Sequence, residues 1–98
     1  MLRITVKTEA GKTLLKLDGK ITGPWVKELE GCWEMLRRTQ GAKPMAVDLA
    51  DVSFIDTSGN LLLERMYREG AELLGEGTLT RSIVEEIEGR IAAHGKVG

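Results

Sequence analysis

A chain of 98 residues is one domain's worth, and 14 basic against 15 acidic side chains leave a net charge of −1. Hydrophobic residues make up 42% and charged residues 30%, an ordinary globular balance whose near-neutral charge supplies no field for nucleic acid. A single cysteine excludes an internal disulfide, one cysteine with one histidine cannot complete a Cys/His zinc site, and a Ser-His-Asp or Cys-His mechanism would depend wholly on His94.

No apolar run approaches the ~20 residues of a membrane-spanning helix. Met1-Leu2-Arg3-Ile4-Thr5-Val6-Lys7 alternates apolar and polar residues, unlike the continuous apolar stretch of a signal peptide. The expectation is a cytoplasmic protein without direct membrane insertion. Residues 1–98 form one domain, with a single core and little room for a deep cavity.

Leu2, Ile4 and Val6 share one face of a first strand by their spacing. Glu9-Ala10-Gly11-Lys12 reads as a turn, and Thr13 to Asp18 as a second strand with Leu15 and Leu17 on one face, giving a hairpin. Thr22-Gly23-Pro24 opens a first helix running to about Thr39, with Val26, Leu29, Trp33 and Leu36 as its buried stripe. Gly31 interrupts it, and Gly41 suits its C-terminal cap.

Met45 to Leu49 is a short apolar run suited to a buried parallel strand. Asp51 to Ile55 follows as a connector with Val52, Phe54 and Ile55 as apolar anchors. A second helix spans about Ser58 to Glu69, with a stripe of Leu62, Leu63, Met66 and Tyr67 and a stop at Gly70. Ala71 to Leu74 forms a short last strand. Gly75 and Gly77 open a loop, and Thr78 or Thr80 caps a third helix that ends near His94, with Ile83, Ile87 and Ile91 along one line and Val84 alongside. The order β-β-α-β-α-β-α predicts an α/β fold: a mixed four-stranded sheet, made from an N-terminal antiparallel hairpin plus parallel βαβ units, covered by helices.

In open α/β sheets, function gathers beyond the carboxyl ends of the parallel strands. Here that place is Asp56-Thr57-Ser58-Gly59, a carboxylate, two hydroxyls and a glycine at a helix start. Unpaired N–H groups and the helix dipole both favour negative charge there. The simpler reading is a helix cap. The sharper one makes Ser58 a phosphoacceptor, whose added charge the helix start tolerates while a partner's apolar or acidic surface would not.

Val47-Asp48-Leu49-Ala50-Asp51-Val52-Ser53-Phe54-Ile55-Asp56-Thr57-Ser58-Gly59 resembles the central signature of the STAS domain, the family of sulfate transporters and anti-sigma factor antagonists. Its hallmark is an apolar strand with Asp-Leu, an apolar pair, then Asp-Ser-Ser/Thr/Ala-Gly opening a helix. Leu17-Asp18-Gly19-Lys20-Ile21 at the end of the hairpin, the Gly23-Pro24 helix start and the terminal helix extend the likeness over nearly the whole chain.

In members resembling anti-sigma factor antagonists, the second hydroxyl of the tetrapeptide is phosphorylated by a partner kinase. That kinase is itself the anti-sigma factor, and a phosphatase reverses the modification. The resemblance therefore implies a non-enzymatic bacterial regulatory module with Ser58 as phosphoacceptor and Thr57 as the fallback. Asp56 would hold the loop, and Gly59 would allow the kinase's close approach. Asn60 and Leu61 fall on the face that would meet the partner, in place of the usual apolar and small pair. The reduced strand Glu72-Leu73-Leu74 and the loop Gly75-Glu76-Gly77-Thr78-Leu79-Thr80 also depart from the family pattern.

An alternative within the family is an accessory subunit of a lipid or anion transport complex that binds an ATPase subunit. Weak nucleotide binding, known in some members, is a third reading, against which stands the lack of a Gly-rich phosphate loop. No cofactor is implied. Asp48, Asp51 and Asp56 lack the further ligand spacing of a Mg²⁺ cage. Trp33 and Cys32 read as core residues, and Trp25 as a sheet-edge cover or a partner contact. His94 reads as exposed near a helix C-terminus, and Glu85, Glu86 and Glu88 as a solvated face. Arg65 and Arg68 are either a solvated face or a phosphate-facing patch.

Overall fold

Strand β1 (Leu2–Glu9) and strand β2 (Lys12–Ile21) pair antiparallel without a break, from Leu2 opposite Gly19 to Glu9 opposite Lys12. Ala10 (φ 47°) and Gly11 (φ 77°) make the two-residue turn, both left-handed, which matches the natural twist of a tight hairpin. The expected turn is thus shorter than Glu9–Lys12, since its outer two residues form the last rung of the ladder. The computed structural model describes residues 1–41, 43–75 and 78–95.

Helix α1 (Pro24–Gln40) begins with Pro24, which has no N–H to lose, and its last turn carries Arg37 and Arg38 where the dipole favours cations. Gly41 caps it at φ 62°. Strand β3 (Met45–Ile55), helix α2 (Thr57–Arg68), strand β4 (Glu72–Leu74) and helix α3 (Thr78–Gly95) follow. The four strands lie in the order β1-β2-β3-β4, with β2-β3 and β3-β4 parallel, as the element order predicts.

Two right-handed crossovers advancing in the same direction place α1 and α2 on one face of the sheet. The third helix packs against α2, β3 and β4, so it shares that face. One core results, from Leu15, Leu17, Val47, Leu49 and Leu73 of the sheet, Leu29, Trp33 and Leu36 of α1, Leu62, Leu63 and Met66 of α2, and Val84 and Ile87 of α3. Val26, Tyr67, Ile83 and Ile91, expected in the stripes, are only partly buried at its margin, as are Trp25 and Cys32. The opposite face carries Arg3, Thr5, Lys7, Leu14, Lys16 and Asp18, which alternate with the core-facing residues.

Asp51–Ile55, expected as a connector, is the second half of β3. The pairing with β2 slips twice: Lys16 faces Asp48 but Asp18 faces Asp51, and Gly19 faces Val52 but Lys20 faces Phe54. Each slip inserts one extra residue into β3, the mark of a β-bulge. The Asp48 side chain stabilises the first by accepting from the Ala50 amide at 2.9 Å, and the Ser53 hydroxyl donates to the Gly19 carbonyl at 3.3 Å near the second. Bulges break strict alternation, which is why this strand is hard to read as one. They turn Val52 into the core and leave Phe54 half exposed, so Phe54 is not an anchor.

The third helix starts at Thr78, which puts Thr80 inside its first turn, and Thr80 is buried. Residues 76 and 77, with the side chains of Thr78 and His94, lie outside the described residues, and so do the expectations attached to them. Exposed Glu85 and Glu86 pair along the helix with Arg81 (3.3 Å) and Arg90 (3.5 Å), as expected of a solvated face. No described helix is long and apolar enough to cross a membrane.

Candidate functional site

Helix α2 starts where β3 ends, and Asp56 is the hinge residue. Its backbone is extended (φ −84°, ψ −179°), and its amide donates to the Ile21 carbonyl at 3.1 Å, closing the end of the β2-β3 ladder. Its carbonyl accepts from the Asn60 amide at 2.9 Å, the first bond of the helix.

The Asp56 carboxylate does two things at once. One oxygen accepts from the Gly59 amide at 2.7 Å, an N-cap bond. The other accepts from the Gly23 amide at 3.0 Å, at the start of α1. Gly23 sits at φ 51° and α1 has no side-chain cap of its own, so a carboxylate from the end of the neighbouring strand β3 serves the starts of both helices. These N–H donors, Gly59 first and Gly23 second, hold the Asp56 carboxyl below the usual carboxylate range.

Gly59 is buried, and the close approach that it permits is internal. A Cβ there would lie 2.7 Å from the Ile21 carbonyl oxygen and 2.9 Å from the Ile21 side chain. Only glycine lets the first turn of α2 rest on the end of β2. Its role as a foothold for a kinase has this intramolecular explanation ahead of it.

With Asp56 and Gly59 turned inward, Thr57 and Ser58 project outward, and both are exposed. Ser58 lines a shallow groove of about 300 Å³ between α1 and α2, together with Val26, Leu61 and Leu62. Leu61 is 58% exposed, the largest value among the described bulky apolar residues outside Met1. Asn60 does not share that exposure. Its side-chain oxygen accepts from Arg90 at 3.0 Å, and Arg90 also lies 3.0 Å from Glu64, so Asn60 joins α2 to α3.

Arg65, at the other end of the groove, is enclosed by acid. It bonds Glu30 at 2.6 Å, Glu69 at 3.1 Å and also Glu34. Its hydrogen bonds to Glu69 and Glu34 raise its already high pKa. A guanidinium so occupied joins α1 to α2 and is not a phosphate-facing patch. Exposed Arg68 stands 3.7 Å from Glu64.

Sequence reasoning missed the Trp33–Glu69 pair. The indole N–H of buried Trp33 donates to Glu69 at 2.7 Å, and Arg37 reaches the same carboxylate at 3.0 Å. The Trp33 bond foremost, then Arg65, holds the Glu69 carboxyl below its ordinary range. A large aromatic in a helical stripe signals burial, but nothing in its spacing names the carboxylate it will meet.

The three aspartates considered for a cation have separate tasks: Asp48 holds the bulge, Asp51 pairs with Lys16 at 3.2 Å, and Asp56 caps. Among the described residues no three potential ligands cluster as a metal site. Burial pushes the Cys32 thiol pKa up, away from the reactive thiolate.

A strand ending in an Asp cap, two outward hydroxyls and a buried glycine, on a sheet with its helices on one face, defines a STAS-type module. The STAS domain model matches residues 3–88, and the chain belongs to that family. Among solved structures it is similar to an anti-sigma factor antagonist from Mycobacterium paratuberculosis (TM-score 0.79, 19% identity, covering 95% of this chain and 82% of that one). It is also similar to the unphosphorylated form of the anti-sigma factor antagonist SpoIIAA (TM-score 0.67, 17% identity, 85% and 82% covered). A third likeness is to a STAS domain antagonist from Rhodobacter sphaeroides (TM-score 0.55, 15% identity, 81% and 89% covered). At these identities the likeness is one of fold. Comparison with curated proteins finds no match.

Proposed function

We propose that this protein is a non-enzymatic regulatory module that binds a serine kinase of the anti-sigma factor type and is switched by phosphorylation of Ser58. The observation that carries the reading is the division of labour at the start of α2. Asp56 and Gly59 are committed to the fold, while Ser58 stands exposed beside an apolar groove and bulky Leu61. A hydroxyl placed so can enter a kinase active site without local unfolding.

Phosphate at Ser58 would add a charge of about −1.5 to −2 at a helix N-terminus, where the dipole favours it. The fold would keep its stability, and the cost would fall on a partner whose apolar surface covers Leu61 and the groove. Modification would thus switch binding. In the unmodified state the module would hold the kinase away from its sigma factor, and a phosphatase would restore that state in the bacterial cytoplasm. Thr57, one residue before Ser58 and also exposed, is the alternative acceptor.

The test is incubation of the full chain with candidate serine kinases of the anti-sigma type and ATP, followed by mapping of the phosphate by mass spectrometry. The expected result is modification at Ser58, lost in Ser58→Ala, and kinase binding that phosphorylation weakens. If Ser58 and Thr57 both stay unmodified and no kinase is bound, the reading fails.

A further inference from the structure

The two edges of the sheet are unlike. On one side β4 has three residues, too short to template another strand. On the other, β1 runs for eight residues with no proline and no register slip, and among the described residues it pairs only with β2. Edge strands in soluble proteins are normally blunted by bulges, proline, brevity or charged side chains; β1 has only the last of these, in exposed Arg3, Lys7 and Glu9. This one has an exposed valine, Val6, at 43%.

The ladder sets which backbone groups face outward. Lys20 donates to the Met1 carbonyl at 3.1 Å, which makes Met1 and Lys20 a hydrogen-bonded pair. With unbroken antiparallel register, Arg3, Thr5, Lys7 and Glu9 also direct their backbone groups at β2. Leu2, Ile4, Val6 and Thr8 therefore present N–H and C=O groups to the outside.

We infer that β1 is a self-association edge, on which a second copy of this chain adds its own β1 antiparallel about a two-fold axis at Val6. The outward set allows few two-fold registers. Centring on Thr5 opposes Arg3 to Lys7, and centring on Lys7 opposes that lysine to itself. Centring on Ile4 creates no charge pair. Centring on Val6 sets Arg3 opposite Glu9 of the second copy, twice by symmetry. It sets Ile4 opposite Thr8 and Val6 opposite itself as hydrogen-bonded rungs. Charge complementarity thus selects one register, and that register covers the exposed valine. The product is a continuous eight-stranded sheet. Ser58 lies at the start of α2, on the far side of β2 and β3 from the new seam, and remains open in both copies.

Sedimentation velocity of the full chain over a range of concentrations tests this, with circular dichroism to check folding. The wild type is expected to show a concentration-dependent dimer. Val6→Pro removes an outward N–H and leaves the β1-β2 bonds intact, so it is expected to abolish the dimer in a folded protein. Arg3→Glu and Glu9→Arg, each alone, are expected to weaken association about three- to tenfold, because each acts on both symmetric pairs. The double variant is expected to restore it. Should Val6→Pro not fold, the charge-reversal set decides alone. A chain that stays monomeric at every concentration, or a dimer that the single reversals leave unchanged, overturns the inference. Ser58 phosphorylation is read separately and is unaffected by either outcome.

Discussion

The carboxylate of Asp56 and the amide of Gly23 lie 33 positions apart in the chain and 3.0 Å apart in the fold. Through this one bond, the residue that caps α2 also closes the start of α1, which has no cap of its own. The exposed hydroxyls of Thr57 and Ser58 therefore stand on a support fixed from two helices.

Replacing Asp56 tests that support. Asp56→Ala is expected to lower the Tm by several degrees, because the Gly59 and Gly23 amides both lose their acceptor. Asp56→Asn is expected to fall in between, since its single side-chain oxygen serves the two donors less well. Thermal melts followed by circular dichroism measure both.

The same group contributes to acid sensitivity. Its carboxyl is depressed in the fold from an ordinary value of 3.8, so the unfolded chain takes up the proton first as pH falls. The stabilisation is full above that ordinary value and is lost as pH drops through the depressed one. Glu69, depressed from 4.5, acts in the same direction. Urea midpoints between about pH 6 and pH 3 are expected to fall with acid, and less steeply in Asp56→Asn.

Two glycines within helices are expected to respond oppositely. Gly59→Ala forces a Cβ to 2.7 Å from the Ile21 carbonyl oxygen. Overpacking of that kind costs about 1–3 kcal/mol, and the shifted helix start should also alter how Ser58 is presented. Gly31→Ala meets nothing within 4 Å on an exposed face of α1, and the gain in helix propensity is expected to stabilise by up to ~1 kcal/mol. Denaturant unfolding of the two variants gives the comparison directly.

Trp33→Phe keeps an aromatic ring in the core and removes the donor that meets Glu69. A loss of about 1–2 kcal/mol is expected, because Arg65 and Arg37 still serve the carboxylate. The Glu69 pKa should rise toward its ordinary range, which carboxyl titration by NMR would detect. An unchanged titration would mean that the indole bond contributes little.

Ser58→Asp and Ser58→Ala change an exposed side chain and leave the backbone amides that serve Asp56 in place. Stability is expected to stay within about 0.5 kcal/mol of wild type in both. Kinase binding, where it occurs, is expected to fall only in Ser58→Asp, which separates a binding switch from a folding defect.

The order of elements, the hairpin, the stripes of α1 and α2 and the Asp56 to Gly59 start of α2 were legible from spacing alone. Apolar periodicity reports which face of a local element is buried, and Leu15, Leu17, Leu29, Trp33 and Leu63 obey it. The second half of β3 was not legible, because two bulges break the alternation that marks a strand. Nor could spacing separate the four residues of Asp-Thr-Ser-Gly into those that build and those that face solvent. That needed Gly23 and Ile21 to arrive from elsewhere in the chain, taking the Asp56 carboxylate and filling the space beside Gly59. Local sequence set the elements and the place of the site. Long-range hydrogen bonds and close packing decided that Arg65 and Asn60 are internal ties, that β1 is an edge strand among the described residues, and that Ser58 stands exposed.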